Sequence, residues 1–156
     1  HACILSDRMA IDNDIERDCA ALNDVVESLF RCGSDVRAMR DVTRGGLGTV
    51  INEIADSSGC MIELDEDSIP VHADVKGFAD ILGLDPLYMG NEGKMIAVVP
   101  AKDAERALEA MRSTPHVKDA AIIGSVMEGS GAYIKTRLGA TRRFDVLYGA
   151  GLQRLC

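Results

Sequence analysis

Residues 36–64, VRAMRDVTRGGLGTVINEIADSSGCMIEL, decide the fold because they predict a strand, a helix and a second strand in direct succession. Residues 36–42 alternate enough in polarity to predict the first strand. Gly45-Gly46 interrupts it, and apolar residues then recur every three or four positions to about Ser58, which predicts a helix. Gly59 ends that helix, and residues 60–64 predict the second strand. The inward stripe of the helix consists of Leu47, Val50, Ile51, Ile54 and Ala55.

Outside this stretch the same kinds of pattern predict three more helices and five more strands. The helices are expected at Asp12–Arg31, Asp74–Leu82 and Pro100–Ser113. The strands are expected at His1–Ser6, Lys94–Val99, Ala120–Val126, Ala132–Thr136 and Arg142–Leu147. Helices and strands alternate at first and strands dominate at the end. This order predicts one α+β (α/β-like) domain with a mixed β-sheet covered by helices.

Length and composition limit the function classes. The chain has 156 residues, of which 47% are hydrophobic and 27% charged, which fits one globular domain. The net charge is −8, so we expect neither a nucleic-acid nor an anionic-membrane partner, since both require a cationic surface. No apolar run approaches the roughly 20 residues of a membrane span.

The five cysteines and three histidines indicate a reducing compartment, the cytoplasm, and no metal site. The cysteines lack the close paired spacing of a disulfide framework, there is no CxxC pair, and the histidines are scattered. The chain opens on His1 without a signal peptide. We therefore expect a fragment of a longer protein whose N-terminal part is absent.

The first candidate site is Asp41-Val42-Thr43-Arg44-Gly45-Gly46-Leu47, at the junction of a strand and a helix. Two glycines allow a ligand close to the backbone, and the free N–H groups of a helix start favour an anion. Arg44 adds a guanidinium suited to phosphate oxygens. The alternative is a tight strand-to-helix turn with a solvated Arg44.

The second candidate site is Tyr88-Met89-Gly90-Asn91-Glu92-Gly93-Lys94, a turn directly before an apolar strand. Glu92 would be held on rigid structure yet remain reachable, as a general base must be. In the alternative, Asn91 and Gly93 serve the geometry of the turn and Glu92 is merely solvated.

The third candidate is the C-terminal segment 149–156, which ends in Gln153-Arg154-Leu155-Cys156. Eight extended residues could reach roughly 25 Å. A thiol at the end of such an arm can be delivered to more than one place, although its position could also be an accident of where the chain ends. We expect residues 1–148 to form the domain and 149–156 a flexible tail.

With these residues identified, the chain resembles the HypE family of hydrogenase maturation proteins. The resemblance rests on MRDVTRGGLGTVINEIA at 39–55, LGLDPLYMGNEGKMIAVV at 82–99 and the terminal RLC. That family is similar in turn to aminoimidazole ribonucleotide synthetase, formylglycinamide ribonucleotide amidotransferase and selenophosphate synthetase. The resemblance implies a C-terminal domain of the aminoimidazole ribonucleotide synthetase type.

The resemblance also implies an ATP-dependent carbamoyl dehydratase that makes a cyanide ligand for [NiFe]-hydrogenase. Cys156 would carry a carbamoyl group that becomes a thiocyanate, Glu92 would be the base at the carboxamide nitrogen, and Asn91 would lie beside it. The segment that would line the phosphate cleft comprises Asp41, Thr43, Arg44, Gly45 and Gly46. ATP, with Mg²⁺, would be bound mainly by the absent N-terminal domain, so we expect the isolated fragment to be inactive.

The partners implied by the resemblance are a HypF-type carbamoyltransferase, the HypC–HypD complex and, for the full-length protein, a second copy in a homodimer. Two other functions stay open. One is a thiol carrier or interaction module with no catalysis of its own. The other is a relative from purine synthesis or selenophosphate synthesis, in which the tail is irrelevant.

Overall fold

The computed structural model describes residues 22–90, 92–115 and 117–144, which form helices, strands and three short 3₁₀ turns. The helices are α1 (Asn23–Arg31), α2 (Gly46–Ser58), α3 (Ala73–Leu82) and α4 (Ala104–Arg112). The strands are β1 (Ala38–Asp41), β2 (Met61–Asp65), β3 (Met95–Val98), β4 (Gly124–Met127), β5 (Gly131–Lys135) and β6 (Thr141–Arg143). The 3₁₀ turns are Glu66–Ser68, Pro86–Tyr88 and Ala101–Asp103.

The described strands form two sheets. β1 and β3 pair antiparallel, with Ala38 opposite Val98 and Asp41 opposite Met95. The second sheet has the order β4-β2-β5-β6, in which β2 and β5 run parallel and the other pairs antiparallel. The α+β class with a mixed sheet covered by helices is confirmed. The split of the described strands into two sheets was not predicted, because local periodicity identifies a strand without identifying its partner.

Most predicted elements within the described residues are found within a few residues of their expected bounds. The strand expected from Ala120 begins only at Gly124, because its partner β2 pairs Leu64 with Gly124 and ends at Asp65. The helix expected from Pro100 begins with a 3₁₀ turn, and α4 follows it. The strand at 1–6, the first part of the helix at 12–31 and the end of the strand at 142–147 lie outside the described residues.

The core lies between α2 and the four-stranded sheet. Val50, Ile51, Ile54 and Ala55 of α2 are buried in one cluster with residues of the sheet, and Leu47 packs against that cluster, as the predicted stripe required. Alternate residues of β2 and β5 face the helix, because successive side chains of a strand point to opposite faces. The buried sheet residues are Ile62, Leu64, Ala132 and Ile134, joined by Leu87 and Phe144. None of the helices in the described ranges has the length and apolar character needed to cross a membrane.

Leu64→Ala should lower the free energy of unfolding by about 2–5 kcal/mol, because Leu64 is 2% exposed and its removal leaves a cavity in the core. Leu138→Ala is the matched control: Leu138 is 97% exposed, and its loss should change stability by less than about 0.5 kcal/mol. Urea unfolding of both variants measures the difference. Equal effects would contradict the packing of α2 on the sheet.

Candidate functional site

The β1–β3 ladder brings the first two candidate segments together. Asp41 is the last residue of β1 and pairs with Met95, the first residue of β3. Beyond this pair, the Val42 N–H donates to the Lys94 carbonyl oxygen at 2.9 Å. Because the strands are antiparallel, the segment that follows β1 and the segment that precedes β3 leave the ladder at the same end. Residues about fifty positions apart in sequence therefore share one location.

The turn from β1 into α2 depends on two glycines. Gly45 and Gly46 have φ values of +75° and +65°, a region that residues with a side chain rarely adopt. The Gly46 N–H donates to the Thr43 carbonyl oxygen at 3.4 Å, and α2 begins at Gly46. Both glycines are buried, while Arg44 between Thr43 and Gly45 is exposed. The glycine backbone of the turn is therefore buried, while the Arg44 guanidinium is exposed to solvent.

The two segments touch through their backbones. A Cβ on Gly46 would lie 2.6 Å from the Leu87 carbonyl oxygen and 2.8 Å from the Met89 nitrogen. A Cβ on Gly90 would lie 2.6 Å from the Thr43 carbonyl oxygen. Only glycine permits either approach, so each segment has a glycine where the other's backbone arrives. We call this pair of approaches the glycine contact.

The start of α2 carries positive partial charge, while the two carboxylates of the site, Asp41 and Glu92, lie outside its first turn. The first turn of α2 has no acidic residue, and its N-cap, Gly45, provides no side-chain hydrogen bond. Its N–H groups therefore form the positive end of the helix dipole without a capping side chain. The Arg44 guanidinium makes no hydrogen bond or ion pair within the described part of the chain, so its donors are available to a ligand.

The acidic residues of the site differ in their surroundings. The Asp41 carboxylate accepts a hydrogen bond from Thr43 Oγ1 at 3.4 Å. Glu92 is exposed and has no hydrogen-bond or ion-pair partner among residues 22–90, 92–115 and 117–144. Those ranges also contain no group of three His, Cys, Asp or Glu side chains that could hold a metal ion.

The structure thus brings together the segment that contains Asp41, Thr43, Arg44, Gly45 and Gly46 and the segment that contains Glu92. Asn91 and Cys156 lie outside the described residues, as does the tail 149–156.

The sequence also contains Gly48 and Gly90, whose positional roles we did not predict. The role of Gly48 could have been predicted from the sequence, because a glycine inside a helix lowers stability and therefore indicates a close neighbour. The neighbour is the ring of Tyr88, whose Cε1 would lie 2.5 Å from a Gly48 Cβ.

The fold and these motifs define a known family. The family described as AIR synthase related protein, C-terminal domain, matches residues 3–136. The chain belongs to this family.

Within that family the chain is similar to HypE proteins. It is 42% identical over 159 residues to the carbamoyl dehydratase HypE of Rhodobacter capsulatus, a match that covers 99% of this chain and 47% of that protein. A crystal structure of the hydrogenase maturation protein HypE superposes with a TM-score of 0.91 at 41% identity, covering 98% of this chain and 51% of that one. The resemblance to the HypE family is confirmed. The chain spans about half the length of these relatives.

Two further solved structures show what such relatives bind. HypE in complex with ATP matches with a TM-score of 0.88 at 40% identity, over 94% of this chain and 47% of that one. A HypE–HypF complex matches with a TM-score of 0.86 at 38% identity, over 92% of this chain and 48% of that one.

Gly90→Ala should lower the free energy of unfolding by about 1–3 kcal/mol, because the new methyl group meets the Thr43 carbonyl oxygen and must push the segments apart. Gly77→Ala on α3 is the control, since nothing lies within 4 Å of its Cβ position. That change should stabilise the chain by roughly 0.5–1 kcal/mol. Denaturant unfolding measures both effects, and a neutral Gly90→Ala would contradict the glycine contact.

Proposed function

We propose that this chain is the C-terminal part of an ATP-dependent carbamoyl dehydratase that acts in the maturation of [NiFe]-hydrogenase. The observation that carries the proposal is the β1–β3 ladder, which sets the exposed Arg44 and the exposed Glu92 on segments in backbone contact. An anion-binding group beside a carboxylate base is what a phosphate-assisted dehydration needs. Similarity to carbamoyl dehydratase HypE along nearly the whole chain supports the same function.

The proposed substrate is a thiocarboxamide, S–C(=O)–NH₂, on Cys156, and the product is the thiocyanate S–C≡N. The reaction removes one oxygen and both amide protons. ATP supplies the phosphoryl group with which the oxygen leaves, since an amide oxygen alone is a poor leaving group. In the proposed transfer the S–C bond breaks, the cyano group binds iron as cyanide and Cys156 returns to the thiolate, with the two electrons that this requires supplied by the iron-bearing acceptor complex.

Arg44 and the start of α2 are proposed to hold the phosphates. The guanidinium and the N–H groups of the first helical turn supply donors and positive charge, which match phosphate oxygens. The backbone conformation of this phosphate-binding turn is set by Thr43, Gly45 and Gly46. The Asp41 carboxylate holds the Thr43 hydroxyl by a hydrogen bond. The similarity to a HypE solved with ATP supports the choice of nucleotide. Mg²⁺ is proposed to accompany ATP, with both bound mainly by an N-terminal domain of the full-length protein.

Glu92 is proposed as the base that removes protons from the carboxamide nitrogen. Its exposure leaves it reachable, while the glycine contact before it and β3 after it fix the ends of its segment. Such support is what keeps a catalytic group in a productive position. Asn91, its neighbour in sequence, is proposed to orient the same carboxamide. Closure of the site around the tail would exclude water and prevent hydrolysis.

The described chain ends at a fixed residue that precedes the proposed tail. Phe144, the last described residue, is 1% exposed, and its N–H donates to the Ala132 carbonyl oxygen at 2.8 Å. Cys156 lies 156 − 144 = 12 residues further along the chain. The last eight of these residues, 149–156, form the proposed tail, which could reach roughly 25 Å when extended, toward this site or toward a partner protein.

The proposed partners follow from the carrier role. A HypF-type carbamoyltransferase would load Cys156, which the similarity to a HypE–HypF complex supports. The HypC–HypD complex would receive the cyano group, and the full-length protein would form a homodimer. We place the reaction in the cytoplasm, where reducing conditions keep a carrier thiol free.

Glu92→Gln in the full-length protein should slow thiocyanate formation by at least about 100-fold, because the amide keeps the shape of the side chain but cannot accept the proton. Mass spectrometry of the C-terminal peptide, after ATP is added to protein loaded at Cys156, follows the reaction. Glu128→Gln changes an exposed acid on another part of the surface and should stay within about two-fold of the unmodified protein. An unchanged rate for Glu92→Gln would favour the carrier without catalysis.

Cys156→Ser should abolish the maturation of hydrogenase in cells and remove the cyano-bearing mass from the C-terminal peptide, since the hydroxyl cannot replace the carrier thiol. Cys60→Ser alters a half-buried free thiol immediately before β2 and should leave both readouts intact. Full activity of Cys156→Ser would instead favour a relative from purine or selenophosphate synthesis.

A further inference from the structure

Most arginines in the described part of the chain are held by oxygen atoms of the protein. The arginines paired with carboxylates are Arg31, Arg37, Arg106, Arg137 and Arg142. Arg112 donates to the Ala120 carbonyl oxygen. Arg40, Arg44 and Arg143 are the exceptions, since all three are exposed and their guanidinium groups make no hydrogen bond or ion pair within residues 22–90, 92–115 and 117–144. Acidic side chains outnumber basic ones in this chain, so an arginine without a carboxylate partner requires an explanation.

The β1–β3 ladder determines the face on which Arg40 lies. Arg40 pairs with Ile96, and residues directly opposite each other share one face of a sheet. Val42 and Lys94, which the next backbone bond of the ladder joins, lie on this face too, because successive side chains of a strand alternate. Asp41 lies on the other face. Arg40 and the exposed Lys94 are therefore diagonal neighbours, with Cα atoms about 7–8 Å apart.

The charge balance of the candidate site requires more than the Arg44 guanidinium. Arg44 is one cation, whereas Asp41 and Glu92 supply two carboxylates on the same pair of segments. Counted alone, these three side chains carry a net negative charge, which opposes the binding of a phosphate. Arg40 and Lys94 belong to the same ladder, and including them makes the balance positive. The site can attract a polyanion only with these two cations.

We propose that Arg40 is a further phosphate-binding residue, which contacts the phosphate chain of ATP together with Arg44. The inference rests on the proposed function, because it takes ATP as the ligand of this site. Four residues of chain separate the two arginines, so their Cα atoms are at most roughly 14 Å apart, and both side chains are long. One triphosphate chain can therefore reach both guanidinium groups.

The chemistry of the Arg40 guanidinium suits this ligand. Its planar group offers parallel N–H donors to phosphate oxygens, and such charge-assisted bonds are stronger than neutral ones. Arg40 breaks no bond to another described residue when it binds an anion. Its positive charge also offsets the repulsion between the phosphates and the Glu92 carboxylate.

The test measures the dissociation constant for ATP by titration calorimetry, with full-length protein that carries no carbamoyl group. Arg40→Gln should weaken ATP binding by about ten-fold or more, because a charge-assisted bond to phosphate is lost. Arg40→Lys keeps the charge but not the planar group, so it should recover part of this loss. The melting temperature without nucleotide should not change, since an exposed side chain without a partner contributes little to stability.

Arg143→Gln is the matched control. Arg143 is also an exposed arginine without a partner in the described ranges, but it lies on β6, in the other sheet. Its replacement should leave the dissociation constant for ATP within about two-fold of the wild-type value. An equal loss in Arg40→Gln and Arg143→Gln would overturn the proposal, because it would reflect only the net charge of the protein.

Two further measurements distinguish a phosphate contact from other roles of Arg40. The loss caused by Arg40→Gln should shrink as salt is raised, because dissolved ions screen exposed charges. Adenosine, used as a competitor of ATP, should bind the wild type and Arg40→Gln equally, because it has no phosphate. A loss of adenosine affinity as large as that of ATP would overturn the proposal. Unchanged ATP affinity with a lower melting temperature would overturn it too, and would indicate that Arg40 pairs with an acidic group of the full-length protein.

The binding assay and thiocyanate formation fail independently. If the wild type forms thiocyanate and Arg40→Gln binds ATP normally, only the role of Arg40 is wrong. If Arg40→Gln loses ATP affinity but the wild type forms no thiocyanate, the phosphate contact stands and the dehydratase function is wrong. A wild type that binds no ATP contradicts both.

Discussion

The backbone hydrogen bond from the Val42 N–H to the Lys94 carbonyl oxygen extends the β1–β3 ladder by one step, and the geometry of the candidate site depends on that ladder. An antiparallel pair places the exit of one strand beside the entry of the other. A one-residue slip would turn the side chains of β1 to the opposite face. The spatial relation between Arg44 and Glu92 is therefore set by main-chain pairing between two four-residue strands.

The glycines convert this proximity into direct contact. Gly46 and Gly90 each lie where the opposite backbone arrives, so the two segments support one another without intervening side chains. Buried backbone at a turn is costly unless its polar groups are satisfied, and the bond from Gly46 to Thr43 satisfies part of that requirement. The polar side chains of the site consequently stand on a backbone that the packing has already fixed.

The core supports the candidate site because α2 is part of both the core and the site. Its apolar stripe packs on β2 and β5, while its first turn forms one side of the candidate site. Leu87 of the Pro86–Tyr88 turn is buried in the same cluster, so the second side of the site is anchored there too. The contact between the Tyr88 and Phe144 rings extends this packing to the last described residue.

The sequence by itself determined the α+β class, the helix α2 with its stripe, the strands on either side of it, and the residue types of both candidate segments. These features are local: periods of two and near four, and glycines at turns, follow from the geometry of a few neighbouring peptide units. Only the tertiary structure decided that β1 pairs with β3 in a sheet separate from β2, that Gly90 meets Thr43, and that Tyr88 lies between Gly48 and Phe144. Such contacts join residues about forty to sixty positions apart. No local pattern encodes them, because they arise when several packed elements satisfy burial and backbone pairing at the same time.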